Sequence, residues 1–350
     1  MLSLLCLLAL APPCLYAVPS VPSVRLMNAA ADGVLMPATG AGSGGYSGNM
    51  SIAYGAWPEC FNACADPQCA APDPANFTGC GEFVDASVAT WLQMGGRRID
   101  GSDSYHNQKF VAQAVRASGV PRQSIFYTSK VGSYLPMGFA DTKAQLATTL
   151  AVTEQAYVDL LLVHWPTCVT PGCEATAEPA CNYRAATYDE KACRLETWRA
   201  MVEIWRSGSA RAIGVSNFNT THLQEIADAG LPLPSVNQMP FNLWHSRDAA
   251  PGGLLDFCRA RNITYNGYSP FAVPDRHVYP GFPPTLVQDE ALVAIAAAHQ
   301  RSPAEVALAW QWQLGIVVNP RSQNAAHQWQ NLNYGAFRGG GGGAQGPRPQ

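Results

Sequence analysis

The chain has 350 residues, of which 47% are apolar and 13% charged, with 22 Lys and Arg against 25 Asp and Glu for a formal net charge of −3. Such an apolar fraction supports a large core and excludes a disordered or fibrous chain. The near-neutral balance gives no electrostatic reason to bind nucleic acid or an anionic membrane surface.

At the N-terminus, Leu2 to Leu10 is a short leucine-rich run followed by Pro12, Pro13 and Leu15-Tyr16-Ala17. It reads as a secretory signal spanning residues 1–17, cleaved after Ala17; the alternative is a buried N-terminal helix. No later stretch has the ~18 apolar residues of a membrane span, so the expectation is a mature chain without one. Of the 11 cysteines, Cys6 and Cys14 would leave with the signal. Cys60, Cys64, Cys69 and Cys80 form one cluster, Cys168, Cys173, Cys181 and Cys193 a second, and Cys258 stands alone. Neither cluster has a CxxC knuckle, so disulfides are expected rather than zinc, and no metal is expected; four cysteines leave three pairings open in each cluster. Sequons at Asn49, Asn76, Asn219 and Asn262 fit the same oxidising compartment. The expected location is the secretory pathway: the endoplasmic-reticulum lumen, another organelle lumen, or the exterior.

Strand candidates then follow in order: 34–42, 97–100, 124–129, 158–164, 210–215, 235–238, 263–268 and 316–318. Val158–Val163 is apolar almost throughout, as in a parallel strand buried on both faces. Helical stretches separate them, among them 109–117, 142–154, 197–206 and 303–312, the last opened by Ser302-Pro303-Ala304-Glu305 as cap, first-turn proline and acid. Eight alternations fit a (β/α)8 barrel or an open doubly wound sheet. Gly40, Gly42 and Gly45 match the GxGxxG spacing of the second, but no helix follows promptly, so a single α/β (β/α)8 TIM barrel over residues 24–335 is expected. Residues 46–81 read as a Cys-rich insertion after the first strand, 168–195 as a Cys-rich loop, and 336–350 as a glycine-rich disordered tail.

In such a barrel, chemistry gathers at the C-terminal strand ends. Those ends carry Asp100, Lys130, His164, Ser216 and Asn217, Asn237 and Gln238, Tyr268 and Ser269, and Arg321 and Ser322. The fragments IDGSDSY (99–105), DLLLVHWP (159–166), AIGVSNF (212–218), VNQ (236–238) and NPRS (319–322) run in one order, and with them the chain resembles the aldo-keto reductase superfamily over about residues 32–332. That resemblance implies reduction of aldehydes or ketones to alcohols by hydride transfer from NADPH, with NADH as the second choice, by a mostly monomeric barrel. It implies Tyr105 as general acid, Lys130 lowering the tyrosine pKa, Asp100 holding Lys130, and His164 orienting the carbonyl. For the cofactor it implies Ser216, Asn217 and Gln238 on the nicotinamide amide, Tyr268 stacked on its ring, and Ser269 at the pyrophosphate. Arg321 and Ser322 would take the adenosine 2′-phosphate. His327 and Gln330 stand where the family has arginine and glutamate, and Asn331 keeps an adenine contact. Pro240 and Asn242 replace the family's frequent Glu and His, and no substrate-shaping C-terminal extension follows Tyr334, which predicts weak substrate selectivity. The alternatives are a non-catalytic NADPH-binding protein, akin to the barrel subunits of potassium channels, and a barrel hydrolase, for which paired carboxylates or metal ligands are missing at the strand ends.

Overall fold

Strand order decides between the two architectures. The computed structural model describes residues 23–26, 35–37, 41–42, 81–105, 107–132, 135–168, 172–272 and 285–334. The signal, the first cysteine cluster, the sequons at Asn49 and Asn76, the insertion short of Gly81 and the glycine tail lie outside the described residues. After a hairpin of β1 (Ser23–Arg25) and β2 (Leu35–Pro37) come eight strands: β3 (Ala41–Gly42), β4 (Arg98–Asp100), β5 (Phe126–Val131), β6 (Leu160–Val163), β7 (Ile213–Ser216), β8 (Val236–Pro240), β9 (Thr264–Tyr268) and β10 (Val317–Asn319). They form one sheet in unbroken chain order, every pairing parallel. A doubly wound sheet reverses its order at a switch point; this sheet instead curls into the expected (β/α)8 barrel. Of the glycines at 40–45, Gly42 lies within the first barrel strand, and the others lie outside the described residues.

Period-two alternation sorts each strand into an inner and an outer face. Phe126, Leu160, Leu162, Ala212, Val236 and Val317 fill the interior together with Leu26 and Met36, so the hairpin seals the N-terminal end. Gly214 faces this interior, where a Cβ would lie 2.5 Å from the Val236 carbonyl and 2.8 Å from Leu162; only glycine fits. Ile99, Tyr127, Leu161, Val163, Ile213 and Val215 point outward into a larger core, covered by α1 (Gly81–Gln93), α2 (Gln108–Ala117), α3 (Phe139–Thr153), α4 (Glu190–Arg206), α5 (Thr220–Asp228) and α6 (Leu254–Arg259). Beyond them α7 (Glu290–Ala298) packs on α8 (Pro303–Gln313), and α8 and α9 (Ala325–Asn333) reach the larger core through Trp310 and Leu332. The Ser302 cap forms as expected, with Ser302 Oγ accepting from Glu305 N at 3.2 Å and Glu305 reaching back to Ser302 N at 2.9 Å. Among the described residues, no helix is long and apolar enough to cross a membrane.

Two ends of the sheet meet through a side chain. Arg98 is buried, and its guanidinium donates to the Val318 carbonyl of β10, so β4 reaches across the seam beside the two-residue β3. Burial lowers the Arg98 pKa to about 10 against the opposing fields of Asp100 and Tyr334. At the N-terminal end of the barrel, the buried Asp159 carboxylate accepts from Arg122 and Arg211, both at 2.7 Å, and from Tyr127 N at 3.0 Å.

Helix α4 starts at Glu190, seven residues before the expected Thr197. Asp189 caps it by accepting from Ala192 N at 3.0 Å, and Arg194 lays its guanidinium on Glu225 of α5 at 2.9 and 3.0 Å. The second cysteine cluster forms two disulfides, Cys168–Cys173 and Cys181–Cys193. Cys258 is a free, buried thiol whose pKa burial pushes up to about 12.

Candidate active site

Inward-facing polar residues collect at the C-terminal end of the barrel. Lys130 and Asp100 are both buried and form an ion pair. The same ammonium donates to the Gly101 carbonyl at 2.8 Å and to the Tyr105 hydroxyl at 3.3 Å, and lies 4.8 Å from the Tyr105 ring centre. His164 meets Tyr105 edge to face, ring centres 5.6 Å apart. Asp100, Lys130 and His164, read from three strand ends, and Tyr105, on the loop after the first of them, are therefore one connected group. Lys130 stands inside β5, one residue before its end, rather than after it.

Electrostatics sharpen each role. Burial alone would lower the Lys130 pKa, but Asp100, with Tyr105 beside it, raises it above the ordinary lysine value, so the ammonium stays charged. Burial, and then the Lys130 charge, hold His164 well below the usual histidine range; the ring is neutral at physiological pH. Tyr105 departs from expectation. Burial raises its pKa, and the opposing pull of Lys130 and, from the far rim, of Arg321 does not cancel that. Tyr105 therefore keeps its proton.

The next group is equally connected. Ser216 Oγ donates to the Gln238 carbonyl at 3.0 Å, and Asn217 Nδ2 to the His164 carbonyl at 2.9 Å and to Ser216 Oγ at 3.1 Å. The Tyr268 hydroxyl donates to Asn217 Oδ1 at 2.9 Å. Gln238 Nε2 donates to Asp100 Oδ2 at 2.7 Å and to Asn266 Oδ1 at 2.8 Å, joining this group to the first. Asn217 and Ser269 adopt left-handed backbone, φ 64° and 51°, an uncommon conformation for a residue other than glycine.

Along the rim past β10, Ser322 Oγ lies 3.5 Å from His327 Nδ1. The Ser322 carbonyl is gripped by Ser87 Oγ at 3.1 Å and Gln328 Nε2 at 2.8 Å, and Asn324 caps α9 by accepting from His327 N at 3.1 Å. Asn331 is buried within α9. The sequence-model match decides the family: the Aldo/keto reductase family model covers residues 82–338. The chain belongs to the aldo/keto reductase family. It is 30% identical over 255 residues to the 9,11-endoperoxide prostaglandin H2 reductase of Trypanosoma cruzi, covering 72% of this chain and 77% of that protein. It is 31% identical over 242 residues to the glyoxal reductase of Bacillus subtilis, covering 69% and 74%. Among solved structures, the aldo-keto reductase of Bombyx mori in complex with NADP superposes with a TM-score of 0.69 at 24% identity over 91% of this chain and 89% of that one, a likeness of fold.

Within this aldo/keto reductase, several supporting residues were not legible from the motifs. Gln108, buried, accepts from the Tyr127 hydroxyl at 3.2 Å and Ser129 Oγ at 3.1 Å while its amide reaches Asp103 at 3.4 Å and Thr149 at 3.3 Å, so it anchors the loop that carries Tyr105. Asn242 supports Ser269, donating to its carbonyl at 3.1 Å while accepting from Trp244 N and His245 N at 3.0 and 2.9 Å. Trp165, 44% exposed, stacks on His164 with ring centres 6.3 Å apart; it stands in the 159–166 fragment directly after the histidine but carried no assigned role. Asn266 had no signal of its own, because its partners lie 28 residues or more away in sequence, and Ser102, though inside the 99–105 fragment, was not singled out because His164 lies 62 residues away.

Proposed function

We propose that this chain reduces aldehyde or ketone carbonyls to alcohols with NADPH, using Tyr105 as general acid with Lys130, Asp100 and His164. The observation that carries the reading is the continuous Asp100–Lys130–Tyr105 chain with neutral His164 against the tyrosine ring. When bound, the reduced nicotinamide supplies the hydride. Tyr105 gives its phenolic proton to the carbonyl oxygen as negative charge develops there. Lys130 stabilises the phenolate left behind, and Asp100 keeps the ammonium charged and in place. His164, neutral, donates a hydrogen bond to the same oxygen, orienting the substrate.

Residue chemistry fits the dinucleotide. Asn319 Oδ1 is a buried acceptor without a protein partner at the end of β10, between the amide group and the rim. The left-handed backbone at Asn217 and Ser269 bends the chain where a bound group would meet main-chain donors. Ser216, Asn217 and Gln238 would hold the nicotinamide amide, Tyr268 its ring and Ser269 the pyrophosphate. Arg321, with Ser322, His327 and Asn331, would hold the adenosine 2′-phosphate, which favours NADPH over NADH. That the Bombyx mori protein of this fold binds NADP and a Bacillus relative is a glyoxal reductase supports cofactor and carbonyl substrate alike. The two disulfides support a lumenal or extracellular location.

The test is Tyr105→Phe in folded protein, with NADPH and a panel of aldehydes and ketones. The expected result is a fall in kcat of roughly 100-fold or more with NADPH still quenching tryptophan fluorescence. Full turnover in the variant would sink the mechanism, and binding without turnover in the wild type would favour a regulatory barrel.

A further inference from the structure

His164 owes its orientation to residues that no part of the proton route uses. Its Nδ1 lies 3.1 Å from Ser102 Oγ and 3.4 Å from Ser104 Oγ, and the two hydroxyls are 3.0 Å apart. Ser102 is fully buried, so its hydroxyl proton has to serve a protein neighbour rather than water. Its main-chain carbonyl also accepts from Tyr105 N at 3.2 Å. One residue thus holds the acid through its backbone and the imidazole through its side chain.

A neutral imidazole carries one proton, and the partner of one nitrogen decides which nitrogen has it. The triangle of Ser104, Ser102 and Nδ1 offers two hydroxyl protons. With a lone pair on Nδ1, Ser104 donates to Ser102 and Ser102 donates to the ring, so the buried polar atoms are satisfied. A proton on Nδ1 would turn the Ser102 hydroxyl outward toward Ser104 and leave Nε2 with a lone pair, which repels a carbonyl oxygen. We propose that Ser102, backed by Ser104, is a positioning residue that donates to Nδ1 of His164 and thereby keeps the proton on Nε2 for the substrate oxygen. The proposal rests on the carbonyl-reductase reading, because the hydroxyl pair can satisfy either tautomer and the substrate oxygen is what requires the proton on Nε2.

Nitrogen-15 NMR of the full chain labelled at histidine, with His164 assigned by comparison with His164→Gln, reads the tautomer directly. The wild type is expected to show the Nε2–H form. In Ser102→Ala the His164 resonances are expected to move toward the Nδ1–H form, and kcat/KM for an aldehyde to fall roughly tenfold, about one neutral hydrogen bond. NADPH affinity should be unchanged. Ser104→Ala should keep the Nε2–H form and lose less activity. An Nδ1–H ring in the wild type, or a Ser102→Ala protein with the wild-type spectrum and kcat/KM, overturns the proposal. If the carbonyl-reductase reading is what fails, NADPH oxidation is absent while the Nε2–H form persists; if this proposal fails, oxidation proceeds with the other tautomer.

Discussion

At Tyr105 two physical effects compete, and their balance sets the resting protonation state. A lysine beside a phenol favours the phenolate, whereas burial favours the phenol, and here burial is the larger. In the proposed reduction the acid role calls for the protonated residue, which is the form burial favours. Asp103, two residues earlier on the same loop, behaves likewise: burial raises its carboxyl pKa to about 6. Because that value lies above the ordinary aspartate range, the folded protein binds this proton more tightly than the unfolded chain does. The associated stability is complete below about pH 4 and is lost as pH rises through 6. Asp103→Asn should therefore unfold at higher urea than the wild type at pH 8, by about 1 kcal/mol for this partly exposed side chain, with about half that gain at pH 5 and none below about pH 4. Equal midpoints at pH 8 would show that the carboxylate is better solvated than its surroundings suggest.

Elements show which parts of the fold were legible in the sequence. Strand ends were: a buried parallel strand is apolar along its length, so Asp100, His164 and Gln238 stand out where it opens into the mouth. Strand β5 was misjudged by two residues at each end. Thr128-Ser129-Lys130 looks like an exit from a strand, but Thr128 and Lys130 face the polar upper interior and Ser129 bonds Gln108 on the outside, so polarity there continues the strand. The first two turns of α4 were missed for a related reason. Glu190-Lys191-Ala192-Cys193-Arg194 reads as solvated loop until Arg194 meets Glu225 and Cys193 meets Cys181, contacts with no trace in local pattern. Those two bonds pin the start of the helix to its neighbours. Replacing Cys181 and Cys193 together by serine should lower unfolding free energy by about 3 kcal/mol, the chain-entropy value for so short a loop, measured by urea denaturation. An unchanged midpoint would mean that the Asp189 cap and Arg194 pair suffice to hold the helix start.

Across the whole molecule, the two ends of the barrel do different work. The mouth holds the candidate site, while the opposite end is tied by Asp159 between Arg122 and Arg211, with Tyr157 lying 4.3 Å beneath the Arg122 guanidinium. Asp159→Asn removes the charge that both arginines share and weakens the acceptor for Tyr127 N. It should cost about 3 kcal/mol of stability, the low end for a broken buried pair because both guanidinia keep contact with water. The kcat/KM of the surviving folded protein should match the wild type, since His164 lies at the other end of the same strand. A loss of activity without a loss of stability would contradict this division.

The hairpin that seals the barrel has a consequence in time. Leu26 and Met36 are among the earliest of the described residues to be synthesised, yet they pack against Phe126, Leu160, Leu162, Ala212, Val236 and, near the other end of the chain, Val317. Their binding surface is incomplete until β10 has left the ribosome. The hairpin is made first and can dock only last, so during synthesis the growing barrel stays open at its base while strand edges and apolar interior await their partners. Contacts of such long sequence separation form slowly, so aggregation is a hazard of the nascent chain more than of the finished barrel.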